Sequence, residues 1–170
     1  MRAVLLRTLV DRVLGLIVAL RGDLSVFVTG VTDDSRRVRG GSLFVARRGE
    51  KVDGRRFVGA AVEAGAAAFL SDAEAVPEAG GLPWVQVRDV RAAAAQIAAA
   101  AAGDPAETMP VDFVTGTNGK TSVTWLCEAI LSAAGIAPGV IGTVVRRYGV
   151  ISETASMTTP DAPELQEILQ

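Results

Sequence analysis

Hydrophobic positions along the chain change period several times, and each change marks an element. From Val4 to Leu20 the residues are mostly apolar, interrupted by Arg7, Asp11 and Arg12, which predicts a packed helix. Ser25 to Thr32 alternates as a strand does and runs into Asp33-Asp34-Ser35-Arg36. Gly40-Gly41 predicts a turn, and Leu43-Phe44-Val45-Ala46 a short buried strand. Arg47 to Gly54 reads as a polar loop. Asp53 is positioned to cap a helix whose inner face is Phe57, Ala60, Ala61 and Ala64, ending at Gly65. Ala66 to Leu70 and Trp84 to Val87 predict two more strands. Asp89 then caps an alanine-rich helix that stops near Gly103, with Pro105 just beyond.

Gly103 to Pro110 is polar and rich in helix breakers, and it predicts a domain boundary. Residues 1–107 read as one small α/β domain and residues 108–170 as the start of a second. In the second, the apolar run Pro110 to Val114 predicts a buried strand. Val123, Leu126, Ile130, Leu131 and Ala134 share one face of a helix, and Val140 to Thr143 predicts a further strand. Together these make a single βαβ element of a mainly parallel sheet, too small to cover its own faces. Thr159 caps and Pro160 opens a last helix with no stop signal before Gln170, so the reading frame is expected to continue.

Composition narrows the function classes. Hydrophobic residues make up 49% of the 170 and the net charge is −2, which argues against a nucleic-acid partner, since such binding needs a basic face. Cys127 is the only cysteine and there is no histidine, so an internal disulfide and a Cys/His metal site are excluded. Cys127 itself reads as a small core or boundary residue. The longest uncharged run near the N-terminus, Val13 to Leu20, is too short for a membrane span and unconvincing as a signal peptide. The expectation is a cytoplasmic protein with no membrane partner; the oligomeric state is left open.

The sharpest chemical signal is Thr115-Gly116-Thr117-Asn118-Gly119-Lys120-Thr121-Ser122, between the predicted strand and helix. Glycines there let backbone N–H groups turn inward, and the helix N-terminus adds positive partial charge, so the segment can cradle phosphates. Lys120 can reach the outer phosphates of ATP, and the Thr121 hydroxyl can ligate the accompanying Mg2+. A Walker A loop would have glycine at Val114; the spacing here is the shorter Gly116-x-x-Gly119-Lys120-Thr121. The plain alternative is a strand-to-helix turn with a solvated lysine.

Three stretches together resemble the Mur ligases of peptidoglycan synthesis. The 115–121 loop looks like that family's ATP loop, including its departure from Walker spacing. Asp34-Ser35-Arg36, Gly41-Ser42-Leu43-Phe44-Val45-Ala46 and Asp53-Gly54 look like the N-terminal signature of the MurE and MurF types. Gly142-Thr143 and Thr158-Thr159-Pro160-Asp161 are more like MurE. The resemblance implies an N-terminal domain for a UDP-MurNAc substrate followed by the first part of an ATPase domain. The implied reaction adds a third amino acid, meso-diaminopimelate or L-lysine, to UDP-MurNAc-L-Ala-D-Glu: the substrate carboxylate is phosphorylated by ATP and the acyl phosphate is attacked by an amine.

By the same resemblance, Gly116, Thr117, Asn118, Gly119, Lys120, Thr121 and Ser122 hold ATP, Lys120 is the catalytic cation, and Thr121 is a Mg2+ ligand. Asp33 and Ser35 contact the uridine end of the substrate, Glu50, Lys51 and Val52 touch its nucleotide with Lys51 as the diphosphate partner, and Thr158 and Thr159 bind the muramoyl-dipeptide end. Read without the family, Ser35 caps a turn, Asp34 and Arg36 make a local ion pair, Lys51 is solvated, and Thr159 is a helix cap. The arginine pairs Arg36-Arg37, Arg47-Arg48 and Arg146-Arg147 could attract anionic substrates, with solvated surface the simpler account. A MurF-type ligase adding D-Ala-D-Ala and a non-catalytic nucleotide-binding remnant are the alternatives, and the 170 residues alone are expected to be inactive.

Overall fold

Leu43, Phe44, Val45 and Ala46 are all buried, yet they serve opposite sides of one sheet. Leu43 and Val45 join one apolar cluster, Phe44 and Ala46 another, as the period-two side chains of a strand covered on both faces must. Ala68 and Leu70 divide from Phe69 in the same way, and Val85 and Val87 from Trp84.

The computed structural model describes residues 3–49, 52–155 and 158–170. In chain order its elements are β1 (Val4–Leu5), α1 (Leu6–Asp11), β2 (Ile17–Arg21), β3 (Phe27–Val28), β4 (Gly30–Thr32), β5 (Ser42–Val45), α2 (Val58–Glu63), β6 (Ala68–Ser71), β7 (Trp84–Val87) and α3 (Val90–Ala102). There follow α4 (Lys120–Ala133), β8 (Val140–Ile141), β9 (Val145–Tyr148), β10 (Ile151–Thr154) and α5 (Ala162–Leu169). Contacts divide the chain into two units, Met1–Pro105 with Ala162–Gln170, and Ala106–Asp161.

The first unit is a mixed α/β layer structure around a five-stranded, mostly parallel sheet of order β2-β7-β6-β5-β4. β4 to β7 run parallel, and only β2 is antiparallel to its neighbour. Leu6, Leu9 and Val10 of α1 and Val90, Ala93 and Ile97 of α3 pack on one face; Val58 and Ala61 of α2 pack on the other with Phe44, Phe69 and Trp84. Phe69 stacks against Trp84 at 5.4 Å between centroids, and the indole N–H donates to the Ala73 carbonyl at 2.9 Å.

Two local expectations change here. Val4 to Leu20 is not one helix: α1 ends at Asp11, and Ile17–Arg21 becomes the edge strand β2. Gly15 weakens a continuous helix, β-branched Ile17 and Val18 favour extended backbone, and pairing with β7 satisfies the ladder. Asp53 does cap a turn, but a 3-10 turn over Gly54–Phe57, and the buried face of α2 is Val58 and Ala61 rather than Phe57, Ala60 and Ala64. The alanine helix α3 forms as expected, with the Asp89 carboxylate accepting from the Ala92 amide at 3.0 Å and Gly103 ending it at φ 83°.

In the second unit α4 forms where predicted, but its surroundings differ. Pro110 to Val114 is not a strand, and β8 pairs antiparallel with β9 in a three-stranded sheet of order β10-β9-β8, so no βαβ element is made. An extended segment is retained only where a neighbour takes its backbone hydrogen bonds. None of α4 is buried: Leu126 is 63% and Ile130 68% exposed, and Cys127 is exposed rather than a core residue. The last helix begins at Ala162, two residues past Pro160. It groups with the first unit, whereas the sequence reading assigns residues 108–170 to the second. The Arg37 guanidinium donates to Glu167 at 2.5 Å and lies 3.9 Å from Glu164 of that helix.

Candidate functional site

In the second unit the phosphate-loop residues form a bent segment that leads straight into α4. Gly116 has φ 147° and Gly119 φ 79°, both in the region that favours glycine, and Gly119 is the residue preceding the first helical turn. The Val123 amide closes on the Gly119 carbonyl at 2.9 Å, so the amides of Lys120, Thr121 and Ser122 precede the helical ladder and face outward for an anion. Gly116 to Gly119 are exposed, as a ligand cradle must be. Lys120 folds back across the loop, its Nζ donating to the Gly116 carbonyl at 2.6 Å. That bond keeps the ammonium within the cradle. The residues present therefore fit a triphosphate: outward amides, two glycines and one cation around the same turn.

Thr143 and Thr158, fifteen positions apart, come together in this unit, with the Thr143 hydroxyl donating to that of Thr158 at 3.2 Å. Thr159 is exposed beside it. On α4 itself, Glu128 is gripped through both carboxylate oxygens by the Arg147 guanidinium of β9, which also lies 5.7 Å from the centroid of the Trp125 ring. The Arg147 hydrogen bonds hold the Glu128 carboxyl below its ordinary range.

In the first unit the candidate residues follow the carboxyl ends of the adjacent parallel strands β4 and β5, where open α/β sheets hold ligands. β4 ends at Thr32, whose hydroxyl accepts from the Asp34 amide at 3.2 Å. Asp34 caps a 3-10 turn over Ser35–Arg37, accepting the Arg36 amide at 3.0 Å, and takes the Arg36 side chain in a fork at 2.9 and 2.7 Å. Those hydrogen bonds from Arg36 hold the Asp34 carboxyl below its ordinary range. Ser35 heads that turn, half-buried.

β5 leads into Arg47, and Arg47 meets Asp33: its Nε and Nη2 donate to the same carboxylate oxygen at 3.0 and 2.7 Å. Arg48 and Asp53 then bridge antiparallel, with the Gly49 amide on the Val52 carbonyl and the Gly54 amide on the Arg47 carbonyl, each at 2.9 Å. This frame carries the loop in which Val52 is exposed; Glu50 and Lys51 lie outside the described residues. Asp53 repeats the Asp34 arrangement: hydrogen bonds from the Arg55 side chain, then its backbone amide, push its carboxyl down to about 2.

The structure thus joins Asp33 with Arg47, and Thr143 with Thr158. Sequence reasoning named Arg47 only as one of an arginine pair and did not foresee Asp33 as its partner, because a partner fourteen residues away carries no local signal.

Residues 27–102 match the family model described as Mur ligase family, catalytic domain, and residues 114–170 match the Mur ligase middle domain. The chain is 42% identical over 153 residues to a UDP-N-acetylmuramoyl-L-alanyl-D-glutamate–2,6-diaminopimelate ligase of Geobacter sulfurreducens, covering 90% of this chain and 30% of that relative. Among solved structures, a ligase of the same description superposes with a TM-score of 0.71 at 24% identity, over 99% of this chain and 33% of that one. A MurF ligase from Thermotoga maritima in complex with ADP superposes at 0.52 and 22%, over 84% of this chain and 29% of that one. At those identities the two structures speak to the fold. The chain spans about a third of the length of the proteins it matches. With both regions matched in order, and the phosphate loop and the Asp34-Ser35-Arg36 turn inside them, the chain belongs to the Mur ligase family.

Proposed function

We propose that this chain is the N-terminal part of a MurE-type ligase, a substrate domain followed near residue 107 by the opening of the ATP domain. The observation that carries the reading is the 116–122 loop, with its two positive-φ glycines, outward amides and inward-folded Lys120. Such a loop suits phosphoryl transfer, which needs positioning and charge neutralisation more than covalent chemistry from the protein. ATP supplies the phosphoryl group that turns a substrate carboxylate into an acyl phosphate. Gly116 to Ser122 would hold the triphosphate, with Lys120 the cation for its phosphate oxygens and the Thr121 hydroxyl the group that would ligate Mg2+. Ser35, with Glu50, Lys51 and Val52 in the loop framed by Arg48 and Asp53, takes the uridine nucleotide, and Thr158 and Thr159 the muramoyl-dipeptide. The amine substrate is diaminopimelate, as the name of the Geobacter relative suggests, or another amino acid at that step, and the setting is cytoplasmic.

The test is a pair of calorimetric titrations, with UDP-MurNAc-L-Ala-D-Glu and with the corresponding tripeptide nucleotide. The MurE reading expects tighter binding of the dipeptide form; a preference for the tripeptide form would turn the assignment to the MurF type. The 170 residues alone are expected to form no amide product, and turnover in an ADP-release assay with full substrates would refute that.

A further inference from the structure

Arg47 and Arg48 read as a solvated pair in the sequence, and the structure separates them. Arg48 is exposed, whereas the Arg47 side chain is 31% exposed and its partner Asp33 16%. Arg47 is held at three points. Its amide donates to the Val45 carbonyl at 3.1 Å, its carbonyl accepts the Gly54 amide at 2.9 Å, and its guanidinium is fixed on Asp33 through Nε and Nη2. A Cβ at Gly54 would stand 2.6 Å from the Arg47 carbonyl oxygen, so the glycine lets the two backbones close on each other. The other arginines of this end are committed differently. Arg36 and Arg55 fold onto the carboxylates of their own turns, with Arg36 87% exposed, and Arg37 is taken by Glu164 and Glu167.

We propose that Arg47, oriented by Asp33, is a ligand for the diphosphate of the uridine nucleotide; this rests on the reading of the β4–β5 end as the uridine-nucleotide site. A guanidinium has five N–H donors in a planar fork. Asp33 engages the Nε edge through one oxygen, which sets the plane and leaves the Nη1 end to meet phosphate oxygens. Asp33 offsets much of the cation's charge, so the interaction works through directed N–H donors rather than net charge. This also gives Asp33 a positioning role in place of direct contact with substrate.

The experiment is calorimetry of the whole chain with UDP and with uridine, read as the ratio of the two affinities so that partial unfolding of a variant cancels. Arg47→Met and the charge-retaining Arg47→Lys are each expected to lower that ratio about ten- to a hundred-fold. Asp33→Asn separates positioning from charge. Positioning expects a lower ratio, whereas a purely electrostatic role expects an unchanged or higher one, because an anion is removed beside the phosphates. An unaltered ratio in Arg47→Met and Arg47→Lys, or an unaltered or raised one in Asp33→Asn, overturns the proposal while leaving the uridine site in place. Failure of the unsubstituted chain to bind UDP overturns both.

Discussion

The two candidate binding regions are built by different means. At the β4–β5 end, each loop leaves a strand of the packed sheet, and carboxylate–guanidinium pairs then fix the loop: Asp33 with Arg47, Asp34 with Arg36, Asp53 with Arg55. The phosphate loop has no such support. Its shape comes from Gly116, Gly119 and the first amides of α4, a helix with no buried residue, with the Lys120 ammonium on the Gly116 carbonyl as the side-chain tie across it. A packed sheet can therefore hold a specific side-chain geometry in advance, while a helix N-terminus offers a generic anion site that needs only glycines and one lysine.

The difference can be broken by substitution. The largest contrast is between cores. Trp84→Ala removes a fully buried ring and is expected to lower stability by about 3–5 kcal/mol, whereas Leu126→Ala on α4 stays within about 0.5 kcal/mol. Urea unfolding of the two variants checks this, and comparable losses would mean that α4 has a packed face. Backbone substitutions come next. Gly54→Ala meets the Arg47 carbonyl and is expected to cost about 1–3 kcal/mol. Gly119→Ala meets nothing within 4 Å and carries only the penalty of its φ of 79°, about 1–2 kcal/mol. Thermal melts that reverse that order would remove the distinction between a packed and an unsupported loop.

The smallest effect is electrostatic. The Asp53 carboxyl sits at about 2 against an ordinary 3.8. A depressed folded value means that the stabilisation is complete above about pH 4 and is lost as the pH falls toward about 2. With the pair open to solvent, the loss amounts to about 1 kcal/mol or less. Acid unfolding of Asp53→Asn should lack this component. A carboxyl resonance for Asp53 titrating near 4 would remove the Arg55 pair from the account.

Much of this was legible in the sequence, and the reasons are local ones. Leu43 to Ala46 is too short and too apolar to be anything but a covered strand. Asp89 and Gly103 bracket an alanine run as caps, and Gly116 and Gly119 mark the bend that opens α4. What escaped depended on distant partners. Ile17–Arg21 becomes a strand because β7 offers it an edge. Pro110 to Val114 stays without one although its residues suit a strand. Arg37 finds Glu167 across 130 positions, and Arg47 finds Asp33 across 14. Charge complementarity makes such pairs possible, but only the fold selects among the 17 basic and 19 acidic side chains.

The central claim is that the 116–122 loop binds the phosphates of ATP, and calorimetric titration of the chain with ATP and Mg2+ tests it most directly. The account expects saturable binding that Lys120→Ala weakens about ten-fold or more, the loss of one charge-assisted contact to the phosphates. Equal affinity in the two proteins would contradict it.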